Sequence, residues 1–146
     1  MSPSNILIAM SEISSLNEKI LDAYCNKDFE VCLKMITESL QVDPSNVQHK
    51  ILQASCWTLM NTNQEEAQKS LKEIINNDPT NSFACYGLGY SLYCSGELLD
   101  CQEYLEKAYE LNPSSTMQKA VELKQKALSI MAAIVDGRFI CDEHLN

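Results

Sequence analysis

Apolar residues recur at i, i+3, i+4 and i+7 through most of the chain, the spacing of one buried helix face rather than the alternation of a half-buried strand. Clusters of Asn, Asp, Pro, Ser and Gly interrupt this pattern and mark turns. The segments between them predict seven helices, at 4–25, 28–40, 45–60, 64–76, 80–94, 98–111 and 115–135. The expected fold class is all-α. Gly137 reads as the stop of the last helix, so one domain over 1–136 and a loose tail over 137–146 are expected.

Three of the turns echo one another: "VDPSN" at 42–46, "NDPTN" at 77–81 and "LNPSS" at 111–115. Their prolines, at 44, 79 and 113, are 35 and 34 residues apart. A period of that length closed by proline indicates tandem units of helix, turn and helix. The units run over 13–46, 48–81 and 82–115, with 115–135 as a terminal element that covers the last apolar face. The third unit carries Cys85, Leu88, Gly89 and Leu92 in its first helix and Cys101, Leu105 and Ala108 in its second. Gly89 suits a close helix pair and Gly96 a tight turn. The second unit shares Ala67, Leu71 and Pro79; the first shares Leu16, Cys32, Ile36 and Pro44 but has Ile20 where the small residue belongs, which suggests a wider pair there. Ser45 and Thr80 are expected caps for the helices that follow them, and Ser115 with Gln118 forms a weak capping box.

This pattern of a large residue, Leu-Gly, a further large residue, then an alanine and a closing proline resembles the tetratricopeptide repeat (TPR). The resemblance covers about two-thirds of the chain and implies an α-solenoid, a right-handed superhelix of helix-turn-helix repeats. "KILQASCWTLMNTNQEEAQ" followed by "ACYGLGYSLY" looks like the middle repeats of DnaJ-type TPR co-chaperones, and something like repeat subunits of the anaphase-promoting complex.

Two further strings, "YCNKDFEVC" at 24–32 and "YCSGELLDC" at 93–101, suggest a cysteine motif. In repeat register Cys25 and Cys94 share position 13, and Cys32 and Cys101 share position 20; the middle unit has Met60 and Ala67 there. A chemical motif would not survive that replacement, whereas a small residue packed between helices does.

Stacked helix pairs curve so that the first helix of each lines a concave groove able to hold a peptide or a helix. By register the groove positions include Asn17, Leu21 and Tyr24 of the first unit, with Ser14 and Glu18 beside them. The second unit offers His49, Gln53 and Cys56, with Leu52 and Leu59; the third offers Phe83, Tyr86, Tyr90 and Tyr93, with Gly87. Aromatics at such spacing can be core, yet three of these four are tyrosines, able to keep a hydroxyl in water. The resemblance also brings to mind the carboxylate clamp by which TPR co-chaperones grip the acidic tails of Hsp70 and Hsp90. The clamp positions hold Asn17, Leu21, Gln53, Phe83 and Gly87 here, and Gln53 alone keeps an amide where that family has one. Clamp binding is therefore disfavoured.

Composition narrows the partners. The net charge of −9, from twenty acidic and eleven basic residues, repels phosphate backbones and anionic lipid. Neither nucleic acid nor membrane is an expected partner, and no apolar run nears the roughly 20 residues needed to span a bilayer. Seven cysteines without a signal-like leader fit reduced thiols in the cytoplasm or nucleus. His49 has no metal-ligating or nucleophilic companion at meaningful spacing, and Cys141 with His144 in "CDEH" makes a poor zinc site in a loose tail. Glu103, Glu106 and Glu110 with Lys107 read as a solvated outer face. The expectation is a non-enzymatic protein–protein adaptor without metal or cofactor.

The terminal helix offers a second surface. Ala120, Leu123, Ala127, Ile130 and Ile134 form an expected inward stripe, while "ALSIMAAIV" over 127–135 is apolar on more than one face. It either packs on the body, through Ile6 and Met10, or meets another molecule. Ile130, Met131 and Ile134 would then form an assembly interface, a homo-dimer among the options.

Overall fold

The computed structural model describes the backbone of residues 3–145 and the side chains of 4–8, 12 and 15–136. It consists of α1 (Pro3–Cys25), α2 (Phe29–Val42), α3 (Val47–Leu59), α4 (Gln64–Asn77), α5 (Ser82–Cys94), α6 (Leu98–Leu111) and α7 (Gln118–Leu145). Consecutive helices pack as antiparallel pairs, and the first helices α3, α5 and α7 also touch side by side. The second helices α2, α4 and α6 form the outer layer. Among the described residues no helix is long and apolar enough to cross a membrane.

Turn chemistry explains the boundaries. Within each unit the chain reverses through a left-handed residue: Lys27 (φ 61°), Asn61 and Asn63 (φ 56° and 48°), then Gly96 (φ 80°). Only glycine takes that conformation without strain. Between units the caps fall one residue later than expected. Asn46 accepts from the His49 N–H at 3.1 Å and Asn81 from the Ala84 N–H at 3.0 Å. Ser45 and Thr80 instead donate back to Asp43 and Asp78, at 2.8 and 2.6 Å. Asparagine is the better cap because its side chain reaches the third N–H from an extended backbone.

The third junction lacks that asparagine. Ser114 accepts weakly from the Met117 N–H at 3.4 Å, and α7 begins at Gln118, so the expected start and capping box at Ser115 do not form. At its far end α7 runs through Gly137 to Leu145, which corrects the loose tail expected over 137–145. A single helical glycine costs only about 1 kcal/mol against alanine, less than is needed to stop a helix. The side chains of Cys141 and His144 lie outside the described residues, as does residue 146.

Two apolar clusters hold the layers together. One joins α1, α2 and α3 through Ile20, Cys32, Ile36 and Cys56; the other joins α3 to α7 through Leu71, Leu88, Leu105, Met117, Ala120 and Ala127. Cys32 and Cys101, at repeat position 20, are fully buried, as small packing residues should be. Cys25 and Cys94, at position 13, are exposed, because that position is the last helical residue of α1 and α5 and faces the turn. In the first unit Ile20 fills the small-residue slot itself, with its carbonyl 3.5 Å from the Cys32 thiol.

The tightest approach is between α5 and α6. A Cβ on Gly89 would lie 2.7 Å from Leu105 Cγ and Cδ2 and 3.2 Å from the Leu105 backbone nitrogen. Gly89→Ala should therefore cost about 1–3 kcal/mol in urea unfolding through overpacking, despite alanine's better helix propensity. Gly87→Ala, whose Cβ would meet only the movable Leu71 Cδ2 at 3.3 Å, is expected within about 1 kcal/mol of wild type.

Candidate functional site

The inner surface of α3 and α5 forms the floor of a concave groove of about 740 Å³. From α3 come Ile51, Leu52, Ser55, Thr58 and Leu59, and from α5 come Phe83, Tyr86, Gly87 and Tyr90. Tyr24, in the last turn of α1, closes one side; Ser115, Thr116, Met117 and Lys119, around the start of α7, close the other. Since each helix pair is antiparallel, α3, α5 and α7 run in the same direction, and the N-terminal end of α5, with Phe83, lies towards Lys119.

Tyr86 and Tyr90, one helical turn apart, stack with ring centroids 6.2 Å apart and planes at 26°. Tyr24 meets Phe29 edge-on at 5.8 Å, which steadies the ring where it leaves α1. Burial pushes the Tyr24, Tyr86 and Tyr90 hydroxyls above the ordinary phenol range, so all three remain hydrogen-bond donors at neutral pH. Phe83 is 54% exposed and Leu59 41%. Thr58 donates to the Ala54 carbonyl at 2.9 Å, which engages its hydroxyl within α3. No carboxylate lines the groove, and Lys119 is the single charged residue among the lining side chains.

Register thus brings together Tyr24, Phe83, Tyr86 and Tyr90, with Leu52, Leu59 and Gly87. The other expected groove residues lie elsewhere, Glu18 among them, exposed on α1, while the Ser14 side chain is outside the described residues. His49 is buried, its ring lodged between α1 and α2: Nε2–H donates to Asn17 Oδ1 at 2.9 Å and Nδ1 accepts from the Ser39 hydroxyl at 2.7 Å. That tie also engages Asn17. Cys56 belongs to the core beside Cys32, and burial, reinforced by Cys32, pushes its thiol up to about 12. Leu21 is 50% exposed on α1 and Gln53 half-buried on α3, both outside the groove. Tyr93 packs against the core from the last turn of α5. The residues missed are Ile51, Ser55, Thr58 and those around Lys119. Treating α7 as the first helix of a further unit would have found Met117, whereas Lys119 falls two residues further on, off the counted positions.

The second surface is partly corrected. Ala120, Leu123 and Ala127 are buried as expected, but Ile130 and Ile134 are 39% and 49% exposed, and Leu128 and Val135 are exposed too. The stripe runs past the end of the α6 surface, where Met131 takes a contact from Gln102 Nε2 at 3.2 Å. Ile6 is also exposed and does not cover α7; the Met10 side chain lies outside the described residues.

No protein-family profile and no curated protein matches the sequence. Solved structures do. The Sgt2 TPR domain from Aspergillus fumigatus aligns at TM-score 0.69 and 19% identity, over 84% of this chain and 82% of that one. The chain has the tetratricopeptide-repeat fold. Further TPR neighbours are the first TPR of Spaghetti (RPAP3) bound to the HSP90 peptide SRMEEVD, at TM-score 0.68 and 17% identity over 81% and 91% of the two chains. The TPR2B domain of yeast Sti1, in complex with an Hsp70 peptide, aligns at 0.66 and 20% over 80% and 95%. At such identities the likeness establishes the TPR fold.

Burial lowers the His49 pKa from its ordinary value of 6.5, with Asp43 opposing weakly. Below pH 6.5 the unfolded chain takes up the proton before the folded TPR does, so stability falls as pH drops through that window. Melting temperatures measured from pH 7.5 to 5.5 should decline for wild type and decline less steeply for His49→Gln.

Proposed function

We propose that this chain is a non-catalytic adaptor that holds a segment of another protein in the groove between Tyr24 and Lys119. The observation that carries the reading is the stacked Tyr86–Tyr90 pair on an open, concave and largely apolar floor. Half-buried tyrosines bring large contact area at low entropic cost and are enriched among interface residues that dominate affinity. The groove's chemistry supports binding over catalysis: it presents aromatic rings, aliphatic chains, hydroxyls and one ammonium, with no histidine and no carboxylate pair. A cytoplasmic or nuclear setting belongs to the same proposal, because buried free thiols suit a reducing compartment.

A chaperone-tail receptor is the natural comparison, since neighbouring TPR domains were solved with HSP90 and HSP70 peptides. It fits this groove less well. Acidic tails are gripped by several cationic and multidentate donors, and here the corresponding places hold Asn17, already bonded to His49, then Leu21, Gln53, Phe83 and Gly87.

Affinity purification of wild type beside Tyr86→Ala/Tyr90→Ala, with circular dichroism on both, tests the adaptor reading. Partners are expected to be lost from the double variant by about tenfold or more in affinity, with helicity unchanged. Equal retention by both forms would rule out the groove.

The exposed run on α7 supports a second reading, a structural subunit that assembles through that helix. Eight uncharged residues, Leu128 to Val135, follow Ala127, the last fully buried position of α7 among the described residues, and a helix apolar on several faces calls for a cover. Under this reading Ile130→Asp/Ile134→Asp reduces the mass measured by light scattering to that of one chain of 16.4 kDa. It leaves the helical circular dichroism of the single chain intact, because within one chain both residues are solvent-accessible. A wild-type mass of one chain would exclude self-assembly through α7.

A further inference from the structure

Resting on the groove reading above, we propose that its occupant is an amphipathic α-helix of a partner protein, with an apolar stripe on Tyr86 and Tyr90 and an acidic side chain against Lys119. The first support is backbone accounting. An extended peptide brings one N–H and one C=O per residue, and those turned into an apolar groove need partners. The lining holds no asparagine, glutamine or arginine, and the Thr58 hydroxyl is bonded to Ala54. The remaining polar groups are the Lys119 ammonium and the hydroxyls of Ser55, Ser115, Thr116 and the three tyrosines, none of which spans a peptide unit's N–H and C=O together as an amide side chain does. The two amides that register would have supplied do not serve: Asn17 is held by His49 and Gln53 lies outside the groove. A helix satisfies its backbone internally and asks the groove only for apolar contact.

The dimensions agree. Phe83 to Tyr90 spans seven residues, about 10 Å along α5, which matches the reach of anchors at i, i+3 or i+4, and i+7 on a helix laid beside it.

Charge completes the picture. The chain carries −9 overall, yet no acidic residue lines the groove, and Lys119 stands at one end of it without an ion pair among the described residues. The Tyr86 hydroxyl feels the charge of Glu122, which is exposed and outside the lining. A single cation at one end of an apolar floor favours a ligand with one carboxylate near one end and aliphatic residues beyond it. A run of acids along the segment would find no further cation.

The test pans the full chain against two phage libraries, one randomised on a single face of a monomeric helical scaffold and one of linear peptides. The helical library is expected to yield clones with aliphatic residues at i, i+4 and i+7 and Asp or Glu at one end. A purified clone should bind about tenfold or more weakly to Tyr86→Ala/Tyr90→Ala. Binding to Lys119→Glu should weaken about fivefold, and a clone with its acid changed to lysine should recover it. Groove binders from the linear library alone would overturn the helical occupant while leaving the adaptor reading intact. Clones from neither library that respond to Tyr86→Ala/Tyr90→Ala would overturn both. Helical clones indifferent to Lys119→Glu would overturn the acidic contact.

Discussion

The placement of Leu105 against the bare Cα of Gly89 is the contact on which the rest of the fold depends. It brings α5 and α6 together as no other pair is brought, and it fixes which face of α5 is turned inward. The flank about a quarter-turn round the helix, with Phe83, Tyr86 and Tyr90, is then left to the concave side. Because α7 packs on both α5 and α6, the same contact sets where Lys119 stands.

The other junctions reach a comparable result by different chemistry. Between α1, α2 and α3, where Ile20 occupies the slot that glycine fills in the third unit, a buried histidine bridges Asn17 and Ser39. Between α4 and α5 the Gln68 amide donates to Ser91 and Ser95 at 3.2 and 2.8 Å, and the Ser95 hydroxyl donates to Gln64 at 3.2 Å. A repeat whose packing residues have diverged keeps its register through directional polar contacts, because each buried donor left without an acceptor costs about 1–3 kcal/mol.

Much of this was legible in the residues, and the failures have definable causes. Helix positions and the repeat period followed from apolar spacing and the prolines, since those report directly on backbone sterics. The groove was legible best in the third unit, and in the others only at Tyr24, Leu52 and Leu59. Counting positions assumes that every unit turns the same face inward, but α3 presents Ile51, Ser55 and Thr58 while its expected contributors His49 and Cys56 are drawn into the core. Tertiary demand decides that rotation. His49 was misplaced because its partners, Asn17 and Ser39, lie 32 and 10 residues away, beyond any local spacing rule. The end of α7 was misjudged by treating a glycine as a stop signal in a segment otherwise content to be helical.

The buried cysteines carry one more implication, about time and chemistry. Burial is the leading cause that raises the pKa of Cys32, Cys56 and Cys85. Alkylating and oxidising reagents attack the thiolate, so these groups are protected twice, by lack of access and by lack of ionisation. Both protections vanish together when a helix pair opens. The thiols of successive units therefore act as clocks distributed along the solenoid, and the rate at which each is consumed reports how often its own layer comes apart.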